Sequence, residues 1–156
     1  MMKYFAILIV LGSIGFSTSK VVPFFNCSYP EGTEISCKVH EVRINPCKII
    51  PHQANACSIT RGQNASMEFD YTANFEGNSL ESCAYYNNDG RDFAYPLRTN
   101  ACTSTVCPVQ PGQKQTYNIT LFVSPEFSAR LYRVKWKLWN PQQQECCFMF
   151  HIKLPS

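Results

Sequence analysis

The sequence is poor in charge and in metal-type cysteine pairs, and each shortage removes a class of function. Charged residues make up 16% of the 156 residues and the formal net charge is +3. That balance is too mild to hold nucleic-acid phosphates by charge alone, so no nucleic-acid partner is expected. No C-x-x-C occurs, which removes the usual basis for a zinc clasp or a dithiol redox site. His40, His52 and His151 are scattered rather than clustered, so no metal and no cofactor is expected. Neither G-x-S-x-G nor H-E-x-x-H is present, and an enzyme is not expected. After the first fifteen residues no apolar run approaches the roughly 20 residues that a membrane-spanning helix needs.

What the chain does have is a leader and many cysteines. MMKYFAILIVLGSIG places one charge, Lys3, before an apolar run from Tyr4 to Ile14. Ser17 and Ser19 then supply small residues at the −3 and −1 positions of a cleavage site. The expectation is a signal peptide over residues 1–19 and a secreted, extracellular protein from Lys20 onward. All nine cysteines fall in that mature part, and in an oxidising compartment they read as a disulfide framework. Cys102 and Cys107, five positions apart and followed by Pro108, are expected to close a tight loop. Nine is odd, so at least one thiol is left free or pairs with another chain. About 137 residues over 20–156 suit a single domain with its own core.

The dominant period is two. MEFDYTANF places Met67, Phe69 and Tyr71 on one face with Glu68 and Asp70 opposite. RVKWKLW alternates Val134, Trp136 and Leu138 with Arg133, Lys135 and Lys137, and CFMFHIKL alternates Phe148, Phe150, Ile152 and Leu154 with Met149, His151 and Lys153. TYNITLFV sets Tyr117, Ile119, Leu121 and Val123 against Asn118, Thr120 and Phe122. Further strands are predicted at 37–44, 82–87 and 92–95, the last two joined by a hairpin turn at Asp89-Gly90. KIIPHQANA, between Cys47 and Cys57, reads as a stapled loop. Short strands without a helical period predict an all-β sandwich.

An ordered set of segments resembles a known family. VRINPC at 42–47, AC followed by SITRG at 56–62, YP followed by NAC-x4-CP and PGQ at 95–113, LYRVKWKL at 131–138 and CFMFHIKL at 147–154 are similar to the ML (MD-related lipid-recognition) domain. Its members include the Niemann-Pick type C sterol-transfer proteins and the group-two mite allergens. The resemblance implies an immunoglobulin-like β-sandwich of two antiparallel sheets with an apolar ligand cavity between them. It implies the bridges Cys27–Cys147, Cys47–Cys57 and Cys102–Cys107. The first closes about 120 residues and contributes on the order of 4 to 5 kcal/mol in the chain-entropy model. A bulge that exchanges Cys146 for Cys147 is the alternative; as drawn, Cys146 faces inward beside Phe148 and Phe150. The chain departs from the family in a longer 47–57 loop and in the extra cysteines Cys37, Cys83 and Cys146, which leave room for one more bridge and one thiol.

The same resemblance puts Tyr95, Val123 and Phe127 at the cavity mouth, with Tyr95 where the sterol-transfer branch usually has Phe. It makes Met67, Phe69, Tyr71, Leu121, Val134, Trp136, Phe148, Phe150 and Ile152 candidate lining. The implied function is a soluble, monomeric carrier of a sterol, fatty acid or other hydrophobic small molecule, with lysosomal delivery among its destinations. An innate-immune module presenting microbial lipid to a receptor is the alternative. The outward row Arg133, Lys135 and Lys137, with Arg130 nearby, suits transient contact with anionic membrane headgroups. Asn64-Ala-Ser66 and Asn118-Ile-Thr120 are glycosylation sequons.

Overall fold

Alternating side chains can form a sandwich only if strands from different parts of the chain pair so that their apolar faces meet. The computed structural model describes residues 19–88, 91–94 and 98–156, and it has that arrangement. Residues 1–18 of the expected signal peptide, the Asp89-Gly90 turn and Tyr95 lie outside these residues. In chain order the strands are β1 (Lys20–Val21), β2 (Phe24–Asn26), β3 (Cys37–Asn45), β4 (Lys48–Ile50), β5 (Ala56–Ser58) and β6 (Gln63–Ala73). They continue as β7 (Glu81–Asn88), β8 (Arg91–Ala94), β9 (Thr99–Asn100), β10 (Lys114–Val123), β11 (Leu131–Trp139) and β12 (Glu145–Lys153).

One sheet runs β1-β3-β6-β10; the other runs β4-β5-β12-β11-β7-β8, with β2 on β12 and β9 on β7. Pairing is antiparallel except between β5 and β12, which are parallel. That exception arises in the segment expected to be a loop. KIIPHQANA instead forms a hairpin of two three-residue strands, β4 and β5, too short for alternation to reveal.

The faces sort as the alternation requires. Phe69, Tyr71, Tyr117, Trp136, Leu138 and Phe148 are buried, while Asn118, Thr120 and Arg133 are exposed. On the outside of the four-stranded sheet Arg43 joins Glu41, Glu68 and Asp70, the last at 2.9 Å, so the solvent face carries a charged ladder. On the outside of the larger sheet Lys135 pairs with Asp92 at 2.7 Å and Lys137 with Glu145 at 2.9 Å. The outward basic row is therefore partly neutralised, leaving Arg133 and the nearby Arg130 without an ion pair among the described residues.

Four disulfides pin this arrangement. Cys27–Cys147, Cys47–Cys57 and Cys102–Cys107 are all present, so Cys147 rather than Cys146 makes the long bridge. Cys146 does not line a cavity as a thiol; it is bonded to Cys37. Its inward position in β12 faces the start of β3 in the opposite sheet, which brings the two sulfurs together. Cys83 is a buried thiol outside the four bridges.

Candidate functional site

Side-chain size changes along the inner face of β6, and that change makes a gap. From one end to the other the inward residues are Tyr71, Phe69, Met67 and Ala65, and across the ladder β10 sets Tyr117 against Phe69 and Leu121 against Ala65. At the wide end rings fill the space between the sheets. Phe69 lies 4.9 Å from Tyr117 and 4.8 Å from Phe148, centroid to centroid, and is fully buried. The phenols there are satisfied, Tyr71 by Thr105 and Gln115 and Tyr117 by Ser82 at 2.8 Å. Burial raises the Tyr71 pKa, which keeps it a neutral donor.

At the narrow end Ala65 and Ala84 contribute one carbon each, and a cavity of about 170 Å3 remains between the sheets. Met67, Leu121, Val134, Trp136, Phe150 and Ile152 wall it, together with Ile44, Ile59 and Leu154. The one hydroxyl of Ser66 is turned to the Asn45 carbonyl at 3.2 Å. Apart from the Trp136 indole N–H and the tyrosines toward the mouth, the wall offers a ligand dispersion contact and water exclusion.

An aromatic mouth borders the cavity. Val123 and Phe127 lie there with Tyr86 and Tyr132, whose rings meet edge to face at 5.2 Å. Phe127 packs against Tyr132 at 6.3 Å, and Arg61 donates to the Phe127 carbonyl at 2.9 Å, which holds the 124–127 turn against the strands. Arg130 places its guanidinium 4.8 Å from both tyrosine centroids. Phe122, 56% exposed, turns outward beside this end and extends the apolar surface to solvent.

A larger recess of about 640 Å3 lies at the opposite end, between Glu81, Arg98, Asn100, Trp139 and Asn140. Its charged and amide side chains suit water more than hydrocarbon. Among the described residues no three His, Cys, Asp or Glu side chains are grouped to hold a metal ion.

The model of the ML domain matches residues 21–154 of this chain. The chain belongs to the ML domain family. A relative, the MD-2-related lipid-recognition protein of Manduca sexta, is 39% identical over 133 residues, covering 84% of this chain and 83% of that protein. The NPC intracellular cholesterol transporter 2 of Canis lupus familiaris is 25% identical over 140 residues, covering 88% and 86%. Among solved structures, a Niemann-Pick type C2 protein from Japanese carpenter ant superposes with a TM-score of 0.70 at 19% identity, covering 85% of this chain and 98% of that one. These ML relatives carry names for lipid recognition and cholesterol transport.

Within this ML sandwich the candidate residues divide. Met67, Leu121, Val123, Phe127, Val134, Trp136, Phe150 and Ile152 are brought together around the cavity. Phe69, Tyr71 and Phe148 are not; they share the inward face but stack on one another and on Tyr117 in the filled half. Ala65, Ala84, Tyr86 and Tyr132 were not singled out by sequence. The small size of Ala84 and Ala65 beside Trp136 and Leu121 is what leaves the space. The signal that finds them is the fall in volume along β6, not its period.

Proposed function

We propose that this ML domain is a secreted carrier that takes a hydrophobic small molecule between its sheets and delivers it to membranes or receptors. The observation that carries the reading is the apolar cavity at the narrow end, walled from both sheets and bordered by an exposed aromatic mouth. Burying about 200 Å2 of ligand surface there is worth about 5 kcal/mol, offset by the cost of association.

The cavity sets conditions on the ligand. At about 170 Å3 it is close to the roughly 150 Å3 that holds benzene in an engineered apolar core, and below the roughly 300 Å3 typical of the smallest drug-sized sites. A compact or slender molecule enters as the sheets stand; a sterol requires them to part at the mouth. Residues 1–19 act as the signal peptide, and four disulfides suit the oxidising compartment it leads to. Glycans at Asn64 and Asn118, both exposed on the outside of the four-stranded sheet, stand clear of the gap between the sheets. Phe122, Leu131 and the cations Arg130 and Arg133 offer a surface for brief membrane contact during exchange.

Displacement of N-phenyl-1-naphthylamine from the purified glycoprotein, with cholesterol and palmitate as competitors, tests the reading. Saturable binding reversed by either competitor is expected. A protein that takes up no apolar probe under any condition is not a carrier. The 39% identity to a lipid-recognition relative keeps the immune-module reading as the second one. Native mass spectrometry separates the two: one small ligand per chain supports the carrier, and one multi-chain microbial lipid supports the module.

A further inference from the structure

Buried polar atoms in this sandwich are satisfied with few exceptions, and one exception stands at the cavity. Among the described residues the buried side-chain nitrogens without a partner are Nδ1 of His151, on the outer face of β12, and Nε1 of Trp136. Trp136 is 2% exposed, and its ring forms part of the cavity wall. A buried N–H with no acceptor carries its full desolvation penalty, so such groups in folded proteins call for an explanation.

The surroundings limit where an acceptor can come from. Trp136 stands in the middle of β11, opposite Ala84 of β7 on one side and Phe148 of β12 on the other. The backbone carbonyls of those strands are engaged in the two ladders. In the opposite sheet the neighbouring ring is Tyr117, edge to face at 5.8 Å, and its hydroxyl is occupied by Ser82. Met67, Val134 and Phe150, which line the same cavity, carry no oxygen acceptor in their side chains. Ala84, with a single carbon, leaves the space beside the ring unfilled. An acceptor that reaches Nε1 has to arrive through the cavity.

We propose that Trp136 is the specificity-determining residue of the cavity: its indole N–H donates to an oxygen of the bound molecule, selecting oxygenated hydrocarbons such as ketones, alcohols and esters over plain ones. The proposal rests on the carrier reading and names the chemistry that reading leaves open. It places the ligand's oxygen against the floor of the cavity, at the boundary with the packed rings, rather than at the aromatic mouth.

The test compares 2-octanone with octane, which differ chiefly in one acceptor. Absolute affinities also contain the ketone's own desolvation, so the quantity to read is the ratio of the two affinities in wild type divided by that ratio in Trp136→Phe. Octane binding in the variant doubles as the control that the cavity still forms. The expected result is that this quotient is about fivefold, the size of one neutral hydrogen bond. A second readout needs no cavity variant. The chain has 2 tryptophans, so its indole region holds two 1H–15N signals, assigned with Trp139→Phe. The Trp136 indole proton is expected to move downfield on adding 2-octanone and to respond less to octane. A quotient near one, or an indole proton that responds equally to both ligands, overturns the proposal while leaving the carrier intact. Failure of any apolar molecule to bind removes the carrier reading and this one with it.

Discussion

Cys37 of β3 is bonded to Cys146 of β12, with their Cα atoms 4.9 Å apart, and this bridge crosses directly from one sheet to the other. It does so at the end of the sandwich where Tyr71, Tyr117 and Leu138 are packed, away from the cavity. Cys27–Cys147 instead joins β12 to the segment just after β2, its neighbour in the same sheet. One end is thus clamped by a bridge between the sheets, while at the cavity end Cys47–Cys57 closes the β4–β5 hairpin that follows β3. With Cys27–Cys147 left intact, the double variant Cys37→Ala/Cys146→Ala opens only the short loop that the two bridges close between them, about 12 residues in the unfolded chain. A loss of about 3 kcal/mol of unfolding free energy is expected, measured by urea titration under non-reducing conditions. A loss below about 1 kcal/mol means that the aromatic half alone clamps the sheets.

Filling the gap and emptying the packed half should have opposite signatures. Ala84→Phe places a ring in space that is already open, so binding of an apolar probe is lost while the melting temperature holds or rises. Phe69→Ala removes a fully buried ring stacked on Tyr117 and Phe148, and about 3 to 5 kcal/mol of stability goes with it. Thermal melts paired with probe titration check both. If Ala84→Phe binds the probe as well as wild type, the cavity lies elsewhere.

The strands were legible because alternation is strong where one face meets core and the other meets water, as in Lys135-Trp136-Lys137. The cavity was less so. Phe69, Tyr71 and Phe148 obey the same period as Met67 and Phe150, and period reports which face is inward, not whether the space in front of it is filled. Only the volumes decide that, and they have to be summed across strands whose register the sequence does not give. The Cys37–Cys146 pairing was hidden for the same reason, since it depends on which strand ends lie face to face. β4 and β5 escaped because three residues are too few to show a period.

Asp70 gives the outer ladder a pH dependence. The hydrogen bonds from Arg43 hold its carboxyl far below the usual carboxylate range, despite partial burial that acts the other way. A folded-state value below the unfolded one, about 3.9, means that the stabilisation is present at neutral pH and is lost as pH falls below about 4 toward the folded value. Asp70→Asn should therefore cost about 1 to 2 kcal/mol at pH 7 and much less at pH 2, read from urea midpoints at the two pH values. An equal cost at both would assign the effect to packing or to the Thr116 hydrogen bond rather than to charge.

His151 should act nearer to neutrality and on a different part of the molecule. Its ring lies on the outer face of β12, edge to face with Phe25 of β2 at 5.8 Å and opposite Arg133 of β11, with Nδ1 buried and unpartnered. Burial first, then the Arg133 charge, push its pKa below the ordinary value. The unfolded chain then takes up a proton more readily than the folded one, so stability is complete above the unfolded value of about 6.5 and declines as pH falls through it toward the folded value. Charging the ring sets it against Arg133 and under Phe25, and β2, three residues long and held on β12, is the element exposed to that strain. Hydrogen exchange at Phe24–Asn26 should accelerate, relative to the chemical rate at each pH, between pH 7 and pH 5 in wild type and stay flat in His151→Phe. Acceleration that persists in the variant would point to another titrating group beneath β2.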